Sequence, residues 1–467
     1  MFNLGLLKNT RLGIIIPILT LCFIGGITVF STTYSKENGI SSFFINHLVF
    51  YLVGIVIFVV LSTFNISKLK LKAIITILIL FTLLSLIAVI FLGTEVYGAQ
   101  RWIDLGPFSF QPSEFAKIVI IITTSFGLAV RSKVYNEQIF NIYKQSDNLI
   151  SLKKLITSEG FIKVAISSVF YLMCLILILK QKSLGNSILI SLIFFSIVFL
   201  NLKIRTISFL LIIPLLVGLL IGFNIPNLQN LNTLLGIESS INVTFLLLTV
   251  LLTIYLSKKF KLNLLLLLIL LIAGILVKPT LEFGYNHILE PYQRQRIESF
   301  LGNDNTSNLF LNEDYNRQMS IIAVGSGRVF GKGLLNGNIV NSRLLPFAYT
   351  DFAFAGFAEQ FGFIGSILIM SLFLILILNI YKIYLKTEDQ FLKLICIGVI
   401  SLIFFNTAQH IAMNLGITPI TGVPLPLISY GGSAILSTFI GLGLINSIDL
   451  HDNDDLAVQN LKQDFGF

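Results

Sequence analysis

Ala73-Ile-Ile-Thr-Ile-Leu-Ile-Leu-Phe-Thr-Leu-Leu-Ser-Leu-Ile-Ala-Val-Ile-Phe-Leu92 runs for 20 residues without a charge. A helix needs about 20 apolar residues to cross the hydrocarbon core of a bilayer, so this stretch decides the fold class. The rest of the chain repeats it. Apolar runs recur at about 12–32, 46–65, 73–92, 114–130, 161–180, 186–201, 206–223, 243–257, 262–278, 352–380, 394–412 and 431–448, giving twelve candidate spans in 467 residues. Hydrophobic residues make up 55% of the chain and charged ones 12%, with a mean hydropathy of +0.89. A soluble domain carries about 25% charged residues, so too few polar side chains remain to cover a water-facing surface. The composition excludes a soluble enzyme, a disulfide scaffold and a disordered chain. The expectation is an all-α, polytopic integral membrane protein forming one membrane domain over 1–467.

Charge placement sets the orientation. With the amino terminus in the cytoplasm, the inward connections hold Lys68, Lys70 and Lys72, then Arg131, Lys133, Lys144, Lys153 and Lys154, then Lys203 and Arg205, then Lys258, Lys259 and Lys261, then Lys382 and Lys386. The outward connection 224–242 has neither Lys nor Arg. Both follow the positive-inside bias and put both termini inside. The first apolar run lacks a cleavage site, so no removable leader is expected. Cys22, Cys174 and Cys396 each sit inside an apolar run and read as small buried hydrophobes.

Three outward segments hold most of the unusual sequence: 93–113, the large loop 279–350 and the Pro/Gly-rich 413–430. In the first, Gly98-Ala-Gln-Arg-Trp-Ile-Asp-Leu-Gly106 is followed by Gln111-Pro-Ser-Glu-Phe-Ala-Lys117. Trp102 and Arg101 alone suit a membrane-surface anchor. Pro112 and Ser113 suit a helix start, which puts Glu114 in the first turn and Lys117 on the same face three residues on. Charge inside a span is costly and usually lines a polar cavity. In the third segment, Pro419, Pro424 and Pro426 forbid a continuous helix, so 413–430 reads as a re-entrant loop. Its free amides, with Ser429 and Ser433, suit either an anion or a purely structural loop. The basic large loop, with Lys332 among its cations, suits an anionic ligand. Gly325-Ser-Gly-Arg-Val-Phe-Gly-Lys-Gly333 lacks the spacing and the Ser/Thr of a nucleotide-binding P-loop and reads as a tight turn.

These segments closely resemble the SEDS family of cell-wall polymerases, the RodA/FtsW/SpoVE group. The resemblance rests on GAQRWIDLG…QPSEFAK at 98–117, YQRQRI at 292–297, GSGRVFGKG at 325–333, TDFAFAGFAEQFGFIG at 350–365 and GVPLPLISYGGS at 422–433. GAQRW and YQRQRI are more similar to the elongation (RodA) branch than to the division (FtsW) branch. The resemblance implies an inverting glycosyltransferase that polymerises lipid II into peptidoglycan strands at the outer face of the bacterial cytoplasmic membrane. It also implies a class B penicillin-binding protein and other cell-wall synthesis proteins as partners, and roles in cell shape or division. Nucleic acid is not among the expected partners. No cofactor is evident, although the resemblance allows a divalent cation, Mg or Mn.

The family core has ten spans, so 206–257 reads as a two-helix insertion that preserves the topology. The resemblance also implies an essential Asp in the large loop, within an Asp-Pro stretch that this chain lacks. Asp304 is the nearest carboxylate and the first candidate for the general base, with Asp314 and Glu313 behind it. Arg101 and Lys117, oriented by Glu114, are expected on the lipid pyrophosphate, with Lys332, Asp351, Ser429 and Ser433 as further substrate contacts. Ser183, Tyr349 and Gln360 stand where the family carries Asp, His and Glu, and His410 where Asn is common. A lone His on a span suits a hydrogen-bonded packing role. Two other readings fit the same features: a non-catalytic scaffold for a penicillin-binding protein, and a lipid-linked precursor transporter, or flippase.

Overall fold

In lipid every backbone polar group must be satisfied within the protein, and a long apolar segment meets that demand as a helix. The structure is a computed structural model that describes residues 12–34, 39–96, 99–106, 108–142, 159–201, 294 and 313–465. The described elements are α1 (Leu12–Thr33), α2 (Ser42–Thr63), a 3-10 turn (Ile66–Lys70) and α3 (Lys72–Leu92). A small sheet follows, then α4 (Pro112–Ile142), α5 (Glu159–Lys180) and α6 (Leu184–Asn201). After these come α7 (Glu313–Ser326), the short α8 (Asn338–Asn341), α9 (Ala353–Lys386), α10 (Gln390–Asn414) and α11 (Gly432–Phe465).

Among the described residues, eight helices are long and apolar enough to cross a membrane: α1 to α5 and α9 to α11; α6 supplies a shorter apolar helix. Together they account for nine of the twelve expected spans. The runs at 206–223, 243–257 and 262–278, and the proposed insertion 206–257, lie outside the described residues. The chain divides into two units, Met1–Asn201 with Tyr315–Phe467, and Leu202–Asp314. The described spans all belong to the first unit.

Burial within this unit runs against hydropathy. The apolar stretches of α2 and α3 are 17% and 22% buried inside the protein, whereas those of α4 and α11, the least apolar of the eight, are each 83% buried. The most apolar helices face lipid, and the helices carrying Glu114, Lys117, Thr123, Ser437 and Asn446 form the interior. α4 packs against α3, α5, α6, α10 and α11, and α11 packs along α2. The main apolar core joins Ile118, Ile121 and Ile122 of α4 to Ile395 and Val399 of α10 and Ile435, Phe439 and Leu442 of α11.

Two segments read from sequence as loops carry regular structure. Between α3 and α4, β1 (Thr94–Val96), β2 (Ala99–Asp104) and β3 (Ser109–Phe110) form an antiparallel sheet in the order β1-β2-β3. Thr94 lies opposite Trp102, and Ile103 opposite Phe110. The β2–β3 turn is closed where Asp104 Oδ1 accepts the Gly106 N–H at 2.9 Å, the local bond that suits Asp to turns. Within the expected loop 279–350, α7 and α8 form instead. Glu313-Asp-Tyr-Asn-Arg-Gln-Met-Ser is too polar for a hydropathy reading to single out, yet Ala323 and Met319 of α7 join a small core with Ile339, Leu345 and Phe352.

α9 is broken at Gly362 (φ 67°, ψ −161°), and the chain repairs the break with the segment 328–333. Lys332 N–H donates to Glu359 O at 3.1 Å and Gly333 N–H to Gln360 O at 2.9 Å. In return, Phe363 N–H reaches Arg328 O at 2.9 Å and Ile364 N–H reaches Val329 O at 3.1 Å. The approach requires glycine on both sides: a Cβ on Gly331 would stand 2.1 Å from Gln360 O, and one on Gly362 would stand 2.3 Å from Gly331 N.

Candidate functional site

The first turns of α4 carry a buried ion pair. Pro112 supplies the fixed φ that suits a helix start, and Glu114 falls where the helix dipole favours an anion. Lys117 Nζ donates to Glu114 Oε1 at 2.7 Å, with the two side chains 0% and 2% exposed. From α11, the Ser437 hydroxyl points at Glu114 Oε2 at 3.4 Å. From α6, Asn186 Nδ2 donates to Ser113 Oγ at 2.9 Å, while Asn186 Oδ1 is buried with no hydrogen-bond partner. Among the described residues the Lys117 ammonium donates to Glu114 alone, although an ammonium carries three donors. The interior around α4 is therefore polar, charged and incompletely satisfied.

The sheet and α11 close over this end of α4. Arg101, on β2, donates through Nη2 to Lys182 O at 2.5 Å, capping the turn between α5 and α6 where Lys182 takes φ 57°. Ser183 is buried in the same turn, and its carbonyl accepts the Ser187 hydroxyl at 2.9 Å. Ser433, at the start of α11, accepts the Gln111 N–H at 2.9 Å and donates to Ser109 O at 3.3 Å. It joins α11 to β3 and to the residue before α4.

The Pro-rich segment between α10 and α11 is non-helical and buried, with Val423, Leu425, Leu427 and Ile428 each no more than 1% exposed. Side chains hold it from three directions. His410 of α10 pairs through Nδ1 with Val423 O at 2.7 Å, and its Nε2 faces the Phe354 N–H at 3.4 Å. That arrangement assigns the neutral Nδ1–H tautomer. Tyr51 of α2, paired with His47 at 2.8 Å, donates to Leu427 O at 2.5 Å, and Leu427 itself takes φ 60°. Ser429 donates to Thr350 O at 2.7 Å and accepts the Leu425 N–H at 2.9 Å. Asn414 fixes the next residue by donating to Asp351 O at 3.0 Å. The Asp351 carboxylate faces this segment: a Cβ on Gly422 would lie 3.5 Å from Oδ2.

A second charge cluster surrounds Glu359 of α9, which is fully buried. Its carboxylate accepts from Lys332 Nζ at 2.6 Å, from Ile339 N–H at 3.0 Å and from Val340 N–H at 3.0 Å. Next to it, Gln360 donates to Ser31 Oγ at 3.1 Å and accepts the Leu335 N–H at 3.0 Å.

The structure thus joins Glu114 to Lys117, ties Ser433 to the segment that leads from the sheet into α4, and holds Ser429 beside Thr350-Asp351. Lys332 belongs to the separate Glu359 cluster. Asp304 lies outside the described residues. Glu313 and Asp314 are the first two residues of α7, and their side chains also lie outside what is described. Sequence reasoning gave no role to Asn186, Ser437 or the His47–Tyr51 pair. Their signal was a polar side chain within an apolar run. Among the described residues no three His, Cys, Asp or Glu side chains gather as metal ligands would.

A family model described as "Cell cycle protein" (FtsW/RodA/SpoVE) matches residues 11–230 and 233–454. The peptidoglycan glycosyltransferase RodA of Treponema pallidum is 28% identical over 457 residues, 93% of this chain and 96% of that protein. The peptidoglycan glycosyltransferase MrdB of Escherichia coli K12 is 28% identical over 368 residues, 78% of this chain and 75% of that protein. Among solved structures, a chain from a peptidoglycan synthase complex aligns with TM-score 0.60 at 21% identity, covering 94% of this chain and 97% of its own. The rod shape determining protein RodA of Thermus thermophilus aligns with TM-score 0.54 at 18% identity, covering 95% and 97%. Both structural likenesses speak for the fold.

Proposed function

Because this chain belongs to the FtsW/RodA/SpoVE family of cell cycle proteins, we propose that it is a peptidoglycan glycosyltransferase, a multi-pass membrane enzyme that polymerises lipid II into glycan strands. Near full-length similarity to proteins named for that activity supports the reading. The structural observation that carries it is the buried Lys117–Glu114 pair, whose ammonium keeps donors in reserve at a helix start.

In this reading the donor is the growing lipid-linked glycan and the acceptor is an incoming lipid II. The acceptor 4-hydroxyl attacks the reducing-end sugar carbon. The hydroxyl proton passes to the general base, the bond to the pyrophosphate oxygen breaks, and the lipid pyrophosphate leaves with inversion at carbon. Asp304 is the proposed base, with Asp314 and Glu313 the next carboxylates along the chain. Lys117 and Arg101 offset the charge that develops on the leaving pyrophosphate, and Glu114 holds Lys117 in place. Asp351, Ser429 and Ser433 border the acceptor side.

The reading puts the active face outside the cytoplasmic membrane, since the short Lys/Arg-rich connections fall at the opposite ends of the helices. A class B penicillin-binding protein is the proposed partner, in line with the synthase complex among the structural likenesses. The test is polymerisation of purified lipid II by the partner-bound protein, with Asp304→Ala and Lys117→Met alongside wild type. Strands from wild type alone are expected. No strands from folded wild type would overturn the enzyme reading in favour of a scaffold, and strands from Asp304→Ala would move the base to Asp314 or Glu313.

A further inference from the structure

α9 begins without a cap of its own. The first N–H groups of a helix have no partner within it, and Phe352 at the N-cap position brings no side-chain bond. α10 supplies the acceptors instead. Asn414 Oδ1 accepts the Ala355 N–H at 3.0 Å, and His410 Nε2 faces the Phe354 N–H at 3.4 Å. His410 and Asn414 lie four residues apart on one face of α10, and both are 0% exposed. The rest of the Asn414 amide is also in use: Nδ2 donates to Asp351 O at 3.0 Å and to His410 O at 2.8 Å. An amide nitrogen only donates and its oxygen only accepts, so these partners leave one orientation for the side chain. Aspartate has the same shape without the donors, and leucine has it without donors or acceptor.

Asp351 stands at the centre of these bonds. The turn at 347–352 is neither helix nor strand, yet its backbone is held at successive steps. Phe347 O accepts the Thr350 and Phe352 N–H groups at 3.0 and 3.2 Å. The next three carbonyls meet donors from other parts of the chain. Tyr349 O accepts the Tyr430 N–H at 2.8 Å, Thr350 O the Ser429 hydroxyl at 2.7 Å, and Asp351 O the Asn414 amide. The first two donors belong to the end of the Pro-rich segment, and the third belongs to α10. The carboxylate of this clamped residue borders open space. Apart from the chain neighbours of Gly422, a Cβ there would find only Asp351 Oδ2 within 4 Å among the described residues, at 3.5 Å.

Building on the reading of Asp351 as a substrate contact, on which this step rests, we infer that Asn414 is a positioning residue that sets where the Asp351 carboxylate stands beside Gly422. Through that carboxylate it governs how the acceptor lipid II is held. A cap for α9 needs only an acceptor, which an acidic side chain at 414 would supply and the helix dipole would favour. The donation to Asp351 O is the part that capping leaves unexplained. It fixes the backbone from which the carboxylate reaches into the open space. Misplacement of about 1 Å by a change outside the reacting groups can cost about 10²-fold in rate.

Asn414→Asp separates the two bonds: it keeps an acceptor for the Ala355 N–H and loses the donor to Asp351 O. The test is a double-mutant cycle of Asn414→Asp with Asp351→Asn, read as kcat/KM for lipid II polymerisation by the partner-bound protein. Asn414→Asp is expected to lower kcat/KM about tenfold when Asp351 is intact and less than about twofold in the Asp351→Asn background, as residues of one hydrogen-bond network couple. A role confined to holding the fold costs the same in both backgrounds, so equal costs overturn the inference. A second measurement does not use activity. In electron cryomicroscopy structures of partner-bound wild type and Asn414→Leu, the Asp351 carboxylate is expected to leave Gly422 in the variant; an unmoved carboxylate overturns the inference. That comparison stands even where wild type makes no strands, the result that overturns the enzyme reading instead. Loss of the folded protein in both Asn414 variants would make the residue structural and overturn the positioning role too.

Discussion

Among the described residues, two buried carboxylate–ammonium pairs are satisfied to different degrees. Glu359 accepts from Lys332, from the Ile339 and Val340 amides and, more distantly, from Ser326 at 3.5 Å. Glu114 accepts from Lys117 and, at 3.4 Å, from Ser437. The first pair is a structural pin whose carboxylate organises two segments of backbone around α9. The second holds a charge in the interior with few partners for it. Stability alone gives little reason to keep such a pair, since apolar replacements of equal size are often neutral or stabilising. Its presence in the interior points to work on a ligand.

The double replacement Glu114→Gln with Lys117→Met sharpens this contrast most. Polymerisation is expected to fall about 10²–10³-fold, the scale of losing a charged contact to the developing anion. The thermal midpoint of unfolding is expected to stay level or rise; a collapsed midpoint would make this pair structural as well. Glu359→Gln with Lys332→Met is expected to do the reverse. An amide offers one acceptor oxygen where the carboxylate serves two backbone amides, so stability drops by about 2 kcal/mol, read from denaturant or thermal unfolding in detergent.

Tyr51→Phe probes the Pro-rich segment, which neither pair touches. It leaves the buried Leu427 carbonyl without the Tyr51 hydroxyl, for an expected loss of about 1–2 kcal/mol and faster proteolysis between α10 and α11. Lys70→Gln sets the lower end of the scale. The Lys70–Asp389 pair is 38% and 34% exposed, so its removal is expected to cost about 0.2–1 kcal/mol. A larger loss would mean that exposed pairs matter here as much as buried ones, and the contrast would fail.

The membrane fold was legible because a 20-residue uncharged run has few other uses. The Glu114–Lys117 pair was legible for a local reason, three residues along one helix. Lys332 and Glu359 were not, because their meeting depends on how 328–333 lies against α9, and no spacing in the sequence encodes that. The sheet between α3 and α4 escaped because strands of two, three and six residues lack room for a clear alternation. α7 escaped because it gains burial through a few residues such as Ala323 and Ser320, whose hydroxyl donates to Asn414 O at 2.9 Å. The base was the least legible part, since this chain lacks the Asp-Pro stretch that would have marked it.

The break in α9 has a consequence for how the protein is made. The backbone groups it frees would burden a helix entering a bilayer alone, because nothing in hydrocarbon can bond them. Segment 328–333, which satisfies them, is earlier in the chain and leaves the ribosome first. The partner is thus already present when Glu359–Ile364 emerges, and α9 can be completed during synthesis. A circular permutation that placed 328–333 after α9 would keep every final contact and lose that order of arrival, so its penalty should appear in membrane insertion yield more than in the stability of the protein that does fold.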